Sequence, residues 1–448
     1  MEIPSDNDLL TAYGDSVYRS IASANPDAVW VTQGWTFVWQ YGQWGSERFE
    51  SLTRNIPSDR MLVLYMSPEY DPARYWNHGG EPCYNLYRGF SGHQWAYTLL
   101  PNMGGKTFLT GDLSKYASEF PQEINSYRDS ASNLIAYGIT AEGVENNPML
   151  YELIADVGWG LAPSDVDQWM RHYARCRYGD CPSALADFLA LLKTTAYGRY
   201  IDHPRFGWQN GAVLTAPGNA VLDSTFYHGV DCLMANLDQL RSLPRTDALA
   251  NDLADLLAMY IGGKVDSCAI HLNILLDNAK NFPYANSIQF ADIEDHILSL
   301  IHQVDHLLLI LDSVVSVQPL GLEQWERLAL SLSDGSVAQQ RNVRNARRLV
   351  TIWYGDHKSN EPVQDYAAKI WSGLVRDYYR PRIVQAWLDR LYKIDIQHGF
   401  SIHGEPFNQV AFENAFVNSA PHLSPRPVPQ TDKLTYLKNL FLEAKMWY

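Results

Sequence analysis

Short apolar runs and longer amphipathic stretches divide the chain into two parts. Four runs in the first third are short, mostly apolar and bounded by glycine, proline or polar residues, at positions 28–32, 61–66, 94–100 and 133–139. Such runs are typical of buried strands. Their first residues are 33, 33 and 39 positions apart, which leaves room for a crossover helix between consecutive strands. The pattern therefore predicts a parallel α/β sheet.

From Pro148 onward the apolar positions recur at helical spacing. The clearest case follows Asp292, where apolar side chains recur every three or four residues from Ile293 to Leu311 and so share one helix face. We therefore predict an α/β part, residues 1–160, and an all-α part, residues 161–448.

The predicted sheet corresponds to only half of a closed parallel barrel, which has eight strands and about 250 residues. Half a barrel leaves two open sheet edges and exposes apolar side chains to water. We therefore expect the first half of a barrel to be missing upstream of Met1.

Charge and composition narrow the classes of partner. The 448 residues carry a formal net charge of −15, whereas nucleic acids and anionic membrane surfaces attract positively charged proteins. No uninterrupted apolar run approaches the ~20 residues that a membrane span needs. We therefore expect neither nucleic acid nor a membrane as partner. The 14 tryptophans and 27 tyrosines favour surfaces that stack on sugar rings, although large proteins also bury such side chains in their cores.

The five cysteines form no regular framework. Cys176 and Cys181, in the segment "CRYGDC", would close a small loop in an oxidising compartment, whereas free thiols are the default expectation. The sequence leaves the disulfide state of this pair open.

The most informative single residue is Glu142, which follows the fourth predicted strand directly and precedes Gly143. In parallel α/β folds the carboxyl ends of the strands face the ligand, so this carboxylate is a candidate nucleophile or acid/base. The alternative is a solvated turn residue. Trp35 also follows a predicted strand, and it would form either the floor of a sugar pocket or a cap on the core. The loop 99–105, with two glycines, allows close approach of backbone and ligand.

Metal and cofactor signals are weak. His302 and His306 are four residues apart and share a helix face, but the glutamate of the zinc-protease signature is missing between them. The sequence contains no dinucleotide-binding glycine motif, phosphate-binding loop or serine-hydrolase elbow. We predict no metal and no cofactor.

Several segments in order carry a more specific signal than any one motif. They are "AVWVTQGW" with Phe37 following, "RMLVLYM", "LLPNMGG", "AEGVENNPMLYELIADVGW", "YARCRYG", "TIWYG", "DYAAKIWSGLVRDYYRPR" and "FENAFV". Together they resemble the α-N-acetylglucosaminidase family of glycoside hydrolases, over essentially the whole chain.

The resemblance implies the C-terminal half of a (β/α)8 barrel, followed by an all-α domain packed over the active-site face. It also implies a retaining mechanism with two glutamates, in which the Glu142-Gly143 step matches the family's nucleophile. The carboxylate would attack the anomeric carbon and form a covalent glycosyl-enzyme. The family's general acid aligns just upstream of Met1, so the resemblance implies that this chain lacks it and has little activity alone.

The resemblance also assigns a sugar pocket. Its aromatic wall maps onto Trp35, Trp353 and Tyr366. The loop "LLPNMGG" corresponds to a segment that contacts the ring. That segment contributes Leu100, Asn102 and Met103, although Pro101 and Met103 depart from the family pattern and put substrate preference in question. His203, in "YIDHPRFG", corresponds to a histidine from the helical domain.

The implied partner is a glycan with terminal α-linked N-acetylglucosamine, which the chain would remove from the non-reducing end. Two alternatives stay open: a non-catalytic carbohydrate-binding or scaffold protein, and a retaining glycosidase with another sugar preference. The chain shows no signal or membrane-spanning segment, and the family suggests a secreted, periplasmic or lysosomal protein. The sequence indicates neither the oligomeric state nor the natural glycan.

Overall fold

The protein forms two compact units. A computed structural model describes residues 6–66, 69, 82–130, 133–201, 204–209, 222–281, 287–353, 365–421 and 432–447. The first unit, here called the sheet unit, comprises Met1–Pro101, Asp112–Glu142 and Met149–Val166. The second, here called the helical unit, comprises Asn102–Gly111, Gly143–Pro148 and Asp167–Tyr448. Two loops that follow strands in the sequence therefore belong to the helical unit.

The sheet unit is built on four parallel strands. In chain order the strands among the described residues are β1 Trp30–Gln33, β2 Met61–Met66, β3 Gln94–Leu99, β4 Gly111–Asp112, β5 Leu134–Ile139 and β6 Gly198–Arg199. The sheet has the order β1-β2-β3-β5, and β4 and β6 lie outside it. All three pairings in the sheet are parallel, which confirms the predicted α/β pattern.

The first strand begins later than the sequence predicts. The pattern started it at Ala28, but the backbone N–H of Ala28 donates to the carbonyl of Asn25 at 3.0 Å and closes a turn after the preceding helix. Strand pairing begins at Trp30, which is opposite Met61 on β2. Turn formation after the helix therefore shortens the apolar run that is available to the strand.

Short and medium helices precede, connect and follow the strands of the sheet. They are α1 Asn7–Ala24, α2 Trp35–Trp39, α3 Tyr41–Thr53, α4 Cys83–Leu86, α5 Phe120–Ser130 and α6 Pro148–Gly158. The central strand β3 is almost entirely buried, because it pairs with β2 on one side and β5 on the other and both of its faces are covered. The edge strands are less covered, and Val31 on β1 and Ile135 on β5 are each 52% exposed.

The helical unit contains the remaining helices of the described part of the chain. They are α7 Val166–Tyr178, α8 Ser183–Thr194, α9 Ser224–Ala235, α10 Leu237–Leu240, α11 Thr246–Lys280, α12 Ser287–Val315, α13 Leu322–Ser331, α14 Ser336–Leu349, α15 Arg380–His398, α16 Gln409–Asn418 and α17 Lys433–Met446. The long helices α11 and α12 pack against each other. The predicted apolar face of α12 is buried, with Ile297, Val304 and Leu311 at 0% exposure.

One helix of the described residues has the length and composition of a membrane span. The segment Phe290–Val315 has 26 residues and a mean hydropathy of 1.5, and 56% of its most apolar window is buried inside the protein. A core helix of a soluble protein has the same properties, so this observation alone is weak support for a membrane span.

Candidate functional site

Trp35 and Glu142 both come shortly after strands of the sheet unit. Gly34 separates β1 from Trp35, and its N–H donates to the carbonyl of Leu64 on β2 at 2.7 Å. A Cβ at position 34 would lie 2.5 Å from that carbonyl oxygen, so glycine is needed there. Glu142 lies three positions beyond Ile139, the last residue of β5, and it is exposed. Its carboxylate is therefore accessible to a ligand.

A buried carboxylate that the sequence analysis missed holds the end of β3. Glu69 is 2% exposed, and its Oε1 accepts hydrogen bonds from the backbone N–H of Leu100 at 2.8 Å and from the Tyr116 hydroxyl at 3.0 Å. Leu100 is itself buried, so the structure places its backbone in a fixed position and its side chain in the core. The same rule that selected Glu142, a carboxylate soon after a strand, would have selected Glu69.

In the helical unit, Asn102 holds the residue that follows Glu142. The Asn102 side chain is fully buried, and its Nδ2 donates to the carbonyl oxygen of Gly143 at 3.0 Å. Gly143 is also confined, because a Cβ there would lie 2.8 Å from Glu145 Oε2 and 3.0 Å from the Cα of Gly105. The backbone directly after the candidate nucleophile is thus tied to the loop 102–111.

A second set of contacts joins this loop to Tyr366. Gly104 has a φ of +77°, and a Cβ there would lie 2.0 Å from the carbonyl oxygen of Tyr366. Lys106 donates from Nζ to the carbonyl of Met103 at 3.1 Å and lies over the Tyr366 ring, 4.9 Å from its centroid. The ammonium group is buried and gains a cation–π contact. The ring of Tyr366 packs on that of Trp353, with centroids 4.9 Å apart.

The backbone around these aromatic rings is strained. Trp353 and Asp365 have φ values of +62° and +54°, in the left-handed region that non-glycine residues seldom adopt. Strain of this kind costs on the order of 1–3 kcal/mol per residue and is concentrated at functional sites. The aromatic pair is therefore held in place at an energetic cost.

A buried ion cluster supports the segment that carries Tyr366. Arg382 is 1% exposed, and its Nη1 donates to Asp365 Oδ2 at 2.9 Å and to Glu413 Oε1 at 3.0 Å, while Nη2 donates to the carbonyl of Gln209 at 3.0 Å. Removing one partner of such a cluster leaves an uncompensated buried charge. The motifs around Arg382 and Glu413 in the sequence thus serve to fix Asp365, the neighbour of Tyr366.

Lys369 connects the two loop segments of the helical unit. It is 6% exposed, and its Nζ donates to the carbonyl of Gly105 and to Glu145 Oε1. Next to it, the N–H of Ile370 donates to Thr107 Oγ1 at 2.6 Å. These contacts span more than 220 positions, so no local sequence pattern reveals them.

A polar cavity of ≈ 320 Å³ lies beside these contacts within the helical unit. Its lining includes Glu145, Asp252, Asp255 and Trp371. Asp252 is paired with Arg177, whose Nη2 donates to Asp252 Oδ1 at 2.7 Å. Burial, followed by the neighbouring charge of Asp252, raises the pKa of Asp255 to about 7.

The candidate residues divide between the two units. Trp35, Leu100 and Glu142 belong to the sheet unit, and the helical unit brings together Asn102, Met103, Trp353 and Tyr366 through the contacts above. His203 lies outside the described residues. All five cysteines, including the Cys176–Cys181 pair, are free thiols.

Models of known protein families match most of the chain. Residues 1–160 match the alpha-N-acetylglucosaminidase (NAGLU) tim-barrel domain, and residues 169–443 match the NAGLU C-terminal domain. The human protein named alpha-N-acetylglucosaminidase is 26% identical over 458 residues, an alignment that covers 98% of this chain and 56% of the human protein. The chain therefore spans about half the length of this curated relative.

Solved structures of Clostridium perfringens enzymes share the fold. A family 89 glycoside hydrolase in complex with its substrate GlcNAc-alpha-1,4-galactose has a TM-score of 0.76 at 21% identity and matches 98% of this chain and 47% of its own. A family 89 enzyme in complex with PUGNAc has a TM-score of 0.76 at 20% identity and matches 98% of this chain and 46% of its own. At these identities the similarity establishes the fold alone.

Proposed function

Because the chain belongs to the alpha-N-acetylglucosaminidase family, we propose that it is a retaining glycoside hydrolase that acts on glycans ending in α-linked N-acetylglucosamine. The observation that carries the proposal is the position of Glu142. It is an exposed carboxylate shortly after a parallel strand, and the next residue is held in place by Asn102.

In this mechanism a Glu142 carboxylate oxygen attacks the anomeric carbon. The new bond forms as the bond to the leaving-group oxygen breaks, and a proton must reach that oxygen as it departs. Water then hydrolyses the covalent glycosyl-enzyme and regenerates the carboxylate. Substrates with a poor leaving group depend on this proton, whereas an activated leaving group departs without it. General acid assistance typically contributes about 10²- to 10⁴-fold.

Three aromatic residues are proposed as sugar-contacting groups. Trp35 is half-buried, as are Trp353 and Tyr366, so each keeps part of its ring available to a ligand. The strained backbone of Trp353 favours a binding role, because strain of this kind is concentrated at functional sites. Leu100, Asn102 and Met103 are buried and are proposed to shape the site from behind.

The test uses a substrate whose leaving group needs no acid. A 2,4-dinitrophenyl α-N-acetylglucosaminide should react with the 448-residue chain to give a burst of dinitrophenol and a mass increase on the peptide that contains Glu142. The variant Glu142→Gln should show neither the burst nor the mass increase. Glu119→Gln, which changes an exposed carboxylate in the sheet unit, should behave as the parent.

Two results would contradict the proposal: labelling of another residue, or hydrolysis with inversion at the anomeric carbon. A plain α-glucoside that reacts as well as the 2-acetamido substrate would instead support the alternative of another sugar preference.

The contact between Trp353 and Tyr366 favours one further candidate, a protein that binds sugar without cleaving it. This candidate predicts that N-acetylglucosamine binds equally to the parent and to Glu142→Gln. It also predicts that binding is lost in Trp353→Ala and that no covalent adduct forms.

A further inference from the structure

Three potential metal ligands meet in the helical unit, away from the residues discussed above. They are Glu294 on α12, Asp395 in the last turn of α15, and His403 in the loop that follows α15. One ligand atom from each lies within 4.8 Å of the others, and His403 Nδ1 is 2.6 Å from Glu294 Oε1. The cluster thus combines an imidazole with two carboxylates.

One of the two carboxylate oxygens of Asp395 lacks a hydrogen-bond donor among the described residues. The residue is fully buried, and its Oδ2 accepts hydrogen bonds from the backbone N–H groups of His403 at 3.0 Å and Gly404 at 3.3 Å. Its Oδ1 is also buried, yet no described residue donates a hydrogen bond to it. A buried carboxylate oxygen without a partner is costly, and a bound cation would remove that cost.

The Glu294 carboxylate adds to the local excess of negative charge. It is 7% exposed, and its Oε1 lies 2.6 Å from Nδ1 of His403. Two buried acidic groups therefore lie close to each other, with one imidazole beside them. A divalent cation would neutralise both of them.

The backbone presents His403 from a fixed position. Gly404 lies so close to α15 that a Cβ there would come within 2.2 Å of the carbonyl oxygen of Leu388 and of the N atom of Tyr392. The N–H of Glu405 donates to the same Leu388 carbonyl at 3.2 Å. The imidazole itself is partly open to water, because the His403 side chain is 46% exposed. An ion can therefore enter from solvent.

We propose that Glu294, Asp395 and His403 form a binding site for one Zn²⁺ ion, which joins the loop after α15 to helix α12. A mixed nitrogen and oxygen donor set suits Zn²⁺ better than Mg²⁺ or Ca²⁺, which prefer oxygen ligands alone. Ligand bonds of about 2.0–2.2 Å at tetrahedral angles place ligand atoms about 3.3 Å apart, so the exposed imidazole must shift slightly away from Glu294, and water fills the fourth position. Glu294 and Asp395 are 101 positions apart, and Asp395 and His403 are 8 positions apart, so the site has no local sequence motif.

The experiment measures Zn²⁺ binding by the full chain after treatment with chelator. Two exposed cysteines lie near histidines one helical turn away, Cys176 with His172 and Cys232 with His228, each at 3.5 Å. The parent for the test is therefore the Cys176→Ser/Cys232→Ser variant. We expect calorimetry to give one Zn²⁺ per chain, and a melting temperature about 3 °C higher at a hundredfold excess over Kd.

The variants separate this site from non-specific binding. His403→Ala and Asp395→Asn should each weaken Zn²⁺ binding at least hundredfold and abolish the temperature shift. His306→Ala is the matched control and should bind as the parent does. His306 lies on α12, the helix that carries Glu294, and it also contacts a carboxylate, Glu443 Oε1 at 3.0 Å. Among the described residues it belongs to no three-ligand group.

Three outcomes would overturn the proposal. They are a Kd weaker than about 100 μM for the parent, unchanged binding in His403→Ala, and a response to Mg²⁺ or Ca²⁺ that equals the response to Zn²⁺. The His403 side chain is partly exposed, so its variant tests the site even if Asp395→Asn fails to fold.

Discussion

The Asn102 side-chain amide donates a hydrogen bond to the carbonyl oxygen of Gly143 at 3.0 Å, within the helical unit. Asn102 comes shortly after β3 in the sequence, and Gly143 comes shortly after β5. The bond therefore joins two loops that follow neighbouring strands of the sheet. It also holds the backbone of the residue that follows the proposed nucleophile, Glu142.

Replacing Asn102 by alanine should lower the free energy of unfolding by about 1–3 kcal/mol, because the Gly143 carbonyl loses its donor. Chemical denaturation measures this difference. Asn418→Ala is the control, since it removes an exposed side-chain bond to the carbonyl of Asn414 at a helix end and should cost less than about 0.5 kcal/mol. Equal losses of unfolding free energy in the two variants would show that the Asn102–Gly143 hydrogen bond contributes no more to stability than an exposed one.

Replacing Gly104 by alanine should destabilise the protein by about 3 kcal/mol or more. Two effects add: the backbone has a φ of +77°, and the new Cβ would lie 2.0 Å from the carbonyl oxygen of Tyr366. Gly335 provides the control, because it has a φ of +93° and no atom within 4 Å of an added Cβ. Gly335→Ala should therefore show the conformational cost alone, about 1–2 kcal/mol.

The difference in destabilisation between Gly104→Ala and Gly335→Ala measures the energetic cost of placing a side chain where the loop 102–111 closely approaches Tyr366. It is obtained from the melting temperatures and from denaturant midpoints under the same conditions. A Gly104→Ala protein as stable as Gly335→Ala would mean that the loop moves away without cost.

Asp255 should make stability depend on pH in the acid to neutral range. Its pKa is raised to about 7 in the folded protein, from an ordinary value of 3.8, so the folded state keeps a proton that the unfolded chain releases. The contribution of this group is therefore fully present below about pH 4 and falls by about 1.4 kcal/mol per pH unit until about pH 7. Arg177, Asp252 and Glu145 are the charged groups that act on it.

The variant Asp255→Asn cannot ionise, so it should lose this part of the pH dependence and exceed the parent in stability at pH 8. Unfolding free energies measured from pH 4 to pH 8 check the prediction. Asp334→Asn, at an exposed position, should keep the parental slope. Parallel curves of unfolding free energy against pH for Asp255→Asn and the parent would show that Asp255 is not the source of this pH dependence.

Sequence reasoning recovered the sheet and missed several polar residues of the helical unit. The four strands stand out because a buried parallel strand needs a continuous apolar run, and Glu142 stands out because it follows one of them directly. Lys369 gave no such signal, although it lies in a segment that carries the family resemblance. Its role depends on Gly105 and Glu145, which are 264 and 224 positions away.

The sequence by itself determined the four strands of the sheet, their order along the chain, the change to a helical pattern after them and one candidate carboxylate. These follow from short-range chemistry: the period of apolar side chains, turn residues and the position of a charge after a strand. Only the tertiary structure decided that two loops after strands belong to the helical unit, and that Glu294, Asp395 and His403 meet. Long-range contacts depend on how buried helices and loops pack, and local patterns do not encode which distant partners meet.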